Sequence, residues 1–304
     1  MLGTGGRHIS SERFELVKRV LITGAGSYVG THVMERLKDE PEKFEVQEVS
    51  VRGDEWKNLD FSKFDAVFHV AGIAHVSTDP SMEPLYMQVN RDLAIDVAQH
   101  AKEAGVQQFI FMSSSIVYGD STIEDNGPIT LETKPNPANF YGRSKLEAEE
   151  GIMSLTDDTF NVAILRCPMI YGSGCKGNFP LLAKIARTLP IFPALKNCRS
   201  VLYIGNLVEL VAKLAESGRG GVYFPQNKKY MSTSKAVSDL AKAQSKRMYL
   251  TVVLNPLVRI ACSRFITAKK AFGNMYYDMN ISKCDFEYQI VSFKESINLS
   301  VKKV

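Results

Sequence analysis

One tyrosine and one lysine have a spacing that would support proton transfer. Tyr141 is the only tyrosine in the sequence that is followed four residues later by a lysine, Lys145. Residues four apart lie on the same face of a helix, and a nearby ammonium group favours the phenolate form of a tyrosine. Twelve tyrosines and 23 lysines among 304 residues would produce about one such pair by chance. The pair therefore needs support from the elements that surround it.

Those elements alternate between apolar strands and helices. Apolar runs predict strands at the start of residues 19–30 and over residues 44–51, 65–72, 106–115 and 160–172. Helical periodicity follows the first strand and recurs over residues 85–105 and 140–153. The last of these helices would begin at Asn139, a favourable N-cap, and would present Tyr141 and Lys145 together. This alternation is typical of a parallel sheet covered by helices.

A glycine-rich turn follows the first predicted strand. Its glycines have the spacing G-x-G-x-x-x-G, which differs from the usual dinucleotide-binding spacing. The N-terminus of the next helix can still offer free N–H groups to a pyrophosphate. The residues of this turn that we predict to bind a dinucleotide are Gly24, Gly26, Ser27, Tyr28, Val29 and Gly30.

From this turn onward the sequence resembles the extended short-chain dehydrogenase/reductases, the superfamily of nucleotide-sugar epimerases and dehydratases. The matching motifs are T-G-x-x-G-x-x-G, with Ser27 at the middle glycine, a strand ending in S-S-x-x-x-Y-G, and the Y-x-x-x-K helix. The resemblance implies that Ser114 holds a substrate hydroxyl, Tyr141 takes its proton, and a hydride passes to a nicotinamide. Further cofactor contacts that we expect on this basis are Tyr141, Lys145, Val70, Ala71, Gly72, Asn90, Met112, Cys167, Pro168 and Met169.

The expected fold is α/β, a Rossmann-type doubly wound parallel sheet with a smaller C-terminal substrate lobe. Residues 1–18 are predicted to form a flexible extension and residues 19–172 the dinucleotide-binding domain. Residues 173–304 would mostly form the substrate-binding lobe, with some segments returning to the first domain.

The end of the second strand leaves the choice of cofactor open. In NAD-binding proteins an acidic residue about 20 residues past the turn accepts hydrogen bonds from the ribose. Ser50 stands there in this sequence, and Arg52 follows. This pair suits the 2′-phosphate of NADP, whereas Glu48 or Asp54 would serve NAD if the register differs. We expect NAD, with NADP as the open alternative.

A later segment resembles bacterial nucleotide-sugar 4-epimerases and 4-ketoreductases of polysaccharide biosynthesis. Residues 165–211 match R-P-P-x-x-Y-G-x-G-x-K-x-N-F and a later R-S-x-x-x-x-x-N-L, with Cys167 at a usual proline. The resemblance implies that Ser115 and Asn178 contact the nucleotide sugar and that Arg199 binds its diphosphate. Without the resemblance, Asn178 could cap a helix and Arg199 could form a surface ion pair.

The residues beside Ser114 separate the reaction classes of the superfamily. Its 4,6-dehydratases follow the catalytic hydroxyl with Asp-Glu, whereas Ser115 and Ile116 stand there in this chain. Its 3,5-epimerase/reductases place a cysteine beside the serine, and none is present. We therefore expect a nucleotide-sugar 4-epimerase of the UDP-glucose 4-epimerase type. An NADPH-dependent 4-keto-sugar reductase is the alternative, and a non-catalytic dinucleotide sensor is a third hypothesis.

The composition indicates a soluble globular chain. Hydrophobic residues make up 45% of it, but no apolar run reaches the roughly 18 residues of a membrane span. The most apolar run, residues 249–262, contains Asn255, Pro256 and Arg259 and is expected to form a buried helix or cap. Five scattered cysteines argue against a disulfide framework or a metal site. We therefore expect a cytoplasmic protein without a metal.

Charge is distributed unevenly along the chain. Residues 226–304 carry 14 basic and 5 acidic residues, a surplus of nine. Such a surplus is suited to an anionic ligand or an acidic surface, or it forms a solvated face. The expected partners are a nucleotide-sugar substrate and a second copy of the chain in a homodimer, as the resemblance implies, with no nucleic acid.

Overall fold

The computed structural model describes residues 17–74 and 79–301. Of the extension predicted over residues 1–18, residues 1–16 lie outside the described residues. The strands are β1 (Lys18–Thr23), β2 (Phe44–Val49), β3 (Ala66–His69), β4 (Gln108–Ser114), β5 (Asn161–Cys167), β6 (Met169–Tyr171), β7 (Ile191–Pro193), β8 (Val201–Tyr203), β9 (Gly221–Tyr223) and β10 (Tyr249–Thr251).

Helices separate most of these strands. They are α1 (Tyr28–Lys38), α2 (Glu83–Tyr86), α3 (Leu93–Glu103), α4 (Phe140–Met153), α5 (Asn178–Thr188), α6 (Ile204–Ser217), α7 (Thr233–Ala243), α8 (Asn255–Arg264), α9 (Ile266–Phe272) and α10 (Phe293–Val301). A π-helical segment, Met87–Asp92, joins α2 to α3.

Six parallel strands form the main sheet, in the order β2-β1-β3-β4-β5-β9. Successive residues of a strand face opposite sides, so Val20 and Ile22 of β1 join the core under α1 and α6, whereas Leu21 joins the core under α3 and α4. Both faces are therefore buried, which explains the continuous apolar runs within the central strands, such as residues 20–22. The predicted doubly wound α/β fold is confirmed.

The helix that carries the tyrosine–lysine pair begins and ends where the sequence predicts. Asn139 caps α4, because its side chain accepts a hydrogen bond from the backbone N–H of Gly142 at 3.0 Å. Such a cap contributes about 1 kcal/mol. A Cβ at Gly142 would lie 2.8 Å from the Ile116 carbonyl oxygen and from Pro137 Cβ. The glycine thus allows close packing of neighbouring protein segments, which accounts for it without a ligand.

The run over residues 160–172, predicted as one strand, forms two. β5 belongs to the main sheet, whereas β6 pairs with β8 in a separate two-stranded sheet. Pro168 separates them, because a proline has no N–H to donate to a continuing ladder. The chain therefore leaves the main sheet at Cys167, next to Ser114 in the register of β4 and β5.

The residues after β6 contribute to two parts of the molecule. α6 packs against α1 on the main sheet, and β9 forms an edge of that sheet. α5, α7 and α10 pack together around a separate core that includes Phe179, Leu182, Val237, Leu240 and Ile297. None of the helices in the described ranges is long and apolar enough to cross a membrane.

The prediction of a buried helix over residues 249–262 is wrong. The run forms β10, a turn and α8, and Cys262 is the buried residue of α8. Its large apolar side chains at Val253, Leu257 and Ile260 are exposed. Apolar content predicted burial here, but only packing against other elements decides which side of a short helix is covered.

Candidate active site

The glycine turn is held between the carboxyl ends of three strands. The backbone N–H groups of Gly24 and Ala25 donate to the Val49 carbonyl at the end of β2, at 3.0 and 3.3 Å. Gly24 has a φ of +110°, and a Cβ there would lie 2.8 Å from the backbone nitrogen of Ala71, beyond β3. Only glycine fits this conformation and this spacing.

Ser27 caps α1 at the position of the family's middle glycine. Its Oγ accepts a hydrogen bond from the Gly30 N–H at 3.1 Å. Within the described ranges, no protein acceptor is found for the backbone N–H groups of Tyr28 and Val29, the first two residues of the helix. No atom lies within 4 Å of a Cβ built on Gly26. The turn therefore fits a pyrophosphate, which free helix N-terminal N–H groups and an open approach can accommodate.

The other side of the turn holds Tyr28. Its hydroxyl is buried without a hydrogen-bond partner among the residues described here, and burial raises the pKa of Tyr28. A Cβ at Gly172, which follows β6, would lie 2.7 Å from this hydroxyl. Tyr28 thus joins the glycine turn to the segment after β6.

The end of β2 carries the residues that we expect to select the cofactor. Ser50 follows β2 directly, is exposed, and accepts a hydrogen bond from the Arg52 N–H at 3.3 Å. Asp54 pairs with Lys57 at 2.9 Å. Glu48 has a buried carboxylate oxygen without a partner in the described part of the chain. Glu48 and the Ser50–Arg52 pair therefore both remain candidates for the adenosine ribose.

Asn90 holds the loop after β3. Its amide accepts a hydrogen bond from the Ile73 N–H at 2.8 Å and donates to the Ile73 carbonyl at 3.0 Å and to Ser144 at 3.3 Å. A Cβ at Gly72 would lie 2.9 Å from the Asn90 amide oxygen. Predicted as a cofactor contact, Asn90 uses its amide to hold Ile73, the residue after Gly72, beside Ser144 of α4.

Ser114, Tyr141 and Lys145 lie together at the carboxyl end of β4. The Ser114 and Tyr141 side chains lie close enough for the serine hydroxyl to lower the pKa of the tyrosine. Lys145 is buried; its Nζ donates to the Met112 carbonyl at 2.9 Å and lies 4.6 Å from the centroid of the Phe111 ring. β4 and α4, remote in sequence, thus bring the three predicted catalytic side chains to one place.

The neighbouring serines have other partners. The Ser113 hydroxyl donates to the buried carboxylate of Glu149, and the Ser115 hydroxyl donates to the Met275 sulfur at 3.6 Å. Adjacent strand residues face opposite sides of a sheet, so Ser113 and Ser114 cannot both reach Tyr141. This geometry favours Ser114.

The protonation equilibria of the pair are dominated by burial. Burial raises the pKa of Tyr141 to about 12, although the hydrogen bond from Ser114 opposes the shift. Burial lowers the pKa of Lys145 to about 8, opposed by the charge of Glu149. From the sequence we expected Lys145 to favour the phenolate. The net shift of Tyr141 has the opposite direction, because desolvation disfavours its charged form more strongly.

A buried ion-pair network, not predicted from the sequence, supports α4. Arg166 donates to Glu149 at 2.6 and 2.9 Å and to the Tyr118 hydroxyl at 2.6 Å. Glu149 lies one helical turn after Lys145, and Arg166 lies on β5. A sequence signal was available, because Glu149 is spaced on the same helical face as Lys145, but its partner comes from a distant strand.

A small pocket opens next to Ser114. It contains four of the predicted site residues, Ser115, Pro168, Met169 and Arg199. Five further residues that were not predicted from the sequence complete its lining, and these are Ile129, Ser200, Met275, Tyr276 and Tyr277. Backbone bridges from Arg199 to Met275 and from Ile129 to Tyr277 bring these segments together. Nothing local in the sequence signals such bridges.

Arg199 is largely enclosed in this pocket. Its guanidinium donates to the Gly273 carbonyl at 3.0 Å, and burial lowers its pKa to about 10. It forms no ion pair with the described residues, which contradicts the surface ion pair considered above. Asn178 begins α5 behind Gly177, which occupies the N-cap position, so Asn178 does not cap the helix and does not line the pocket.

Comparison with known proteins agrees with this geometry. The family model described as the NAD dependent epimerase/dehydratase family matches residues 20–224. The chain is 31% identical over 257 residues to a UDP-glucose 4-epimerase of Vibrio cholerae, an alignment that covers 76% of this chain and 77% of that protein.

Two further similarities extend over most of the chain. It is 28% identical to the N-acetyl-alpha-D-glucosaminyl-diphospho-ditrans,octacis-undecaprenol 4-epimerase of Escherichia coli O157:H7, covering 84% of this chain and 82% of that protein. The structure of a Thermus thermophilus UDP-glucose 4-epimerase in complex with NAD superposes with a TM-score of 0.71 at 19% identity, covering 94% and 98% of the two chains. The chain belongs to the NAD dependent epimerase/dehydratase family and is an NAD(P)-dependent sugar-nucleotide enzyme.

Proposed function

We propose that this protein is a nucleotide-sugar 4-epimerase that oxidises C4 of its substrate transiently. The observation that carries the proposal is the proximity of Ser114, at the end of β4, to Tyr141 on α4, with the buried Lys145 one helical turn further along α4. Two hydroxyl groups at this position can hold a sugar hydroxyl and exchange its proton. This transfer does not need the additional acid and base that the elimination of water requires.

Each side chain has a distinct part in this proposal. Ser114 orients the C4 hydroxyl, and Tyr141 accepts its proton when the C4–H bond breaks and returns it when the bond forms again. The positive charge of Lys145 offsets the cost of a phenolate in a buried site. A bound nicotinamide cofactor would supply the hydride chemistry at C4. The Tyr28 and Val29 N–H groups at the glycine turn would hold its pyrophosphate.

The position of Arg199 supports the proposal that the substrate is a nucleotide sugar. Its guanidinium is enclosed in the pocket beside Ser115 and lacks a carboxylate partner in the described part of the chain. A guanidinium can bind two phosphate oxygens at once. The similarity to the Vibrio cholerae UDP-glucose 4-epimerase favours a uridine diphosphate sugar. Ser115, which lines the same pocket, is proposed as a sugar contact, and Asn178, at the start of α5 outside this pocket, is proposed as a second one on the family resemblance alone.

The residue after Ser114 argues against sugar-nucleotide dehydration. Elimination of water needs an acid and a base near C5 and C6, whereas Ser115 donates its hydroxyl to Met275. Neither Ser115 nor Ile116 can supply a carboxyl group. Oxidation and reduction at C4, for which Ser114 and Tyr141 suffice as proton-transfer groups, therefore fits these residues better than dehydration does.

A 4-keto-sugar reductase is the second candidate, and the specific observation that favours it is the Ser50–Arg52 pair. Arg52 could bind a 2′-phosphate, and a reductase would exchange NADPH at each turnover. An epimerase returns the hydride to its own substrate and can retain its cofactor. The bound cofactor therefore discriminates between the two candidates.

The test is to denature freshly purified protein and identify any released dinucleotide by mass. Stoichiometric NAD is the expected result, since the proposed cycle has no net redox change. An empty protein that binds NADPH much more tightly than NADH would overturn the epimerase in favour of the reductase.

The homodimer and the cytoplasmic location stay predictions. Light scattering at micromolar concentration would test the first, with a mass of about twice the chain's 33.8 kDa as the expected result. A strictly monomeric protein would contradict it.

A further inference from the structure

The surface around α8 has features that the proposed active site does not use. We define the α8 face as the exposed side chains of residues 249–265. Seven of the eighteen large apolar side chains that are exposed in the described ranges belong to this short segment. They are Tyr249, Leu250, Val252, Val253, Leu257, Ile260 and Phe265. Apolar residues that are exposed singly need no explanation, but a concentration of them marks an interaction surface.

α8 turns its apolar stripe outward. Leu257 and Ile260 are spaced three residues apart on α8 and are 64% and 55% exposed, whereas Cys262 faces the interior. Val253, in the turn before the helix, is 77% exposed. A helix on the surface of a globular protein normally directs polar residues to solvent. The outward stripe is therefore not used by the core of this chain.

The apolar surface continues onto a neighbouring strand pair. Tyr249 of β10 lies opposite Ile191 of β7, and both are at least half exposed. Side chains of directly paired residues share one face. The side chain of Asn255 donates to the Ala194 carbonyl at 3.2 Å and fixes the start of α8 to the chain after β7. The α8 face is thus anchored to the folded lobe.

The charge around this surface has one sign. No acidic residue occurs between Asp239 and Asp278. The same interval contains seven basic residues, which are Lys242, Lys246, Arg247, Arg259, Arg264, Lys269 and Lys270. The ion pairs found among the described residues do not include any of these seven, and the nearest in sequence joins Lys235 to Asp239. Their positive charge is therefore not compensated by the protein.

We propose that the α8 face docks this protein onto an anionic membrane surface, lying in the interface without spanning it. Outward Leu, Ile, Val and Phe side chains bordered by Lys and Arg are the combination that binds such surfaces, through apolar burial and attraction to acidic lipids. A symmetric second copy is a poorer occupant, because a two-fold interface would place the uncompensated cations against themselves.

Vesicle flotation of the full-length protein tests this proposal. We expect binding to vesicles of phosphatidylcholine mixed with phosphatidylglycerol, weaker binding in high salt, and little binding to phosphatidylcholine alone. Removing each basic residue near the surface should weaken binding about fivefold, so Arg259→Gln with Arg264→Gln should lose roughly 25-fold. Leu257→Gln with Ile260→Gln should also weaken binding. Leu131→Gln, an exposed apolar position elsewhere, is the matched control and should bind as the unaltered protein does.

Circular dichroism and light scattering would verify that every variant folds. The proposal is overturned if the unaltered protein does not bind anionic vesicles at low salt. It is equally overturned if the Leu257/Ile260 variant binds anionic vesicles as tightly as the unaltered protein. A third contradicting result is an unaltered protein that is dimeric and does not bind lipid, together with a Leu257/Ile260 variant that is monomeric, since the α8 face would then be a contact between copies.

Discussion

The Glu149 carboxylate accepts hydrogen bonds from the Arg166 guanidinium at 2.6 and 2.9 Å, one helical turn after Lys145. Both side chains are largely buried. The ion pair fastens α4 to β5 at the level of the catalytic side chains. The helix that carries Lys145 is thus held by an ion pair that includes none of the three predicted catalytic side chains.

Replacing Glu149 by Gln should destabilise the protein by about 3–5 kcal/mol, because Arg166 would keep a buried charge without its carboxylate. Chemical denaturation would measure the loss. Glu150→Gln, at the exposed neighbouring position, is the control and should change stability by less than about 0.5 kcal/mol. Equal stability of the Glu149 and Glu150 variants would refute the structural importance of the ion pair.

Tyr141→Phe should lower turnover by roughly 10²- to 10⁴-fold, the usual contribution of a positioned proton-transfer group. Dinucleotide binding should remain, since the ring is retained. Tyr223→Phe, which removes a hydroxyl bonded to the Gly220 carbonyl at the sheet edge, should leave turnover unchanged. Full activity of the Tyr141 variant on a substrate that the unaltered protein converts would exclude this tyrosine as the proton acceptor.

The titration of Lys145 predicts a pH dependence of stability. Its pKa is lowered from 10.5 to about 8 in the folded protein, so between these values the folded state binds fewer protons than the unfolded state. Stability from this group therefore rises with pH across that interval, by roughly 3 kcal/mol in total. The difference in unfolding free energy between the unaltered protein and Lys145→Met, followed from pH 7.5 to 10, isolates the effect. A difference that is constant with pH would contradict it.

Ser27 should contribute more to the stability of α1 than to the affinity for the dinucleotide. Its Oγ accepts the Gly30 N–H, so Ser27→Ala should cost about 1 kcal/mol, whereas Ser27→Gly should cost a few tenths. We expect Ser27→Gly to change dinucleotide affinity, measured by calorimetry, by less than about threefold, which is well under the contribution of one hydrogen bond to a charged group. A much tighter complex would show that the hydroxyl obstructs the pyrophosphate.

If the cofactor carries a 2′-phosphate on its adenosine ribose, Arg52 should bind that phosphate. Arg52→Ala should then weaken NADPH binding about tenfold or more, the loss expected for a hydrogen bond to a charged group, and leave NADH binding unchanged. Lys57→Ala, which removes the partner of Asp54, is the nearby control. An equal loss for both cofactors would assign Arg52 to the fold of the loop.

The order of strands and helices was predictable because the spacing of apolar residues and the glycines and prolines that end an element are local properties of the sequence. The bounds of α4 agree with its sequence pattern, and Asn139 caps it. Ser114 could be selected because the sequence resembles the family motif S-S-x-x-x-Y-G, in which the serine stands four residues before Tyr118. The fold of the nucleotide-binding half is thus largely encoded in short segments.

The parts that could not be predicted depend on contacts between distant segments. The split of the 160–172 run depends on β6 pairing with β8. Met275, Tyr276 and Tyr277 join the pocket through bridges that begin at Arg199 and Ile129. The direction of the Tyr141 pKa shift depends on how much of the fold covers the ring. None of these contacts leaves a periodic signal in the sequence.

Epimerisation at C4 is tested most directly by following the sugar itself. Purified protein would be incubated with UDP-glucose or UDP-galactose, without added reductant, and the nucleotide sugars resolved by nuclear magnetic resonance. A 4-epimerase converts either sugar to the same equilibrium mixture of the two C4 epimers with no net change in cofactor oxidation state, and this is the expected result. No interconversion, together with stoichiometric oxidation of NADPH when a 4-keto sugar nucleotide is supplied, would contradict the epimerase and assign the site to a reductase.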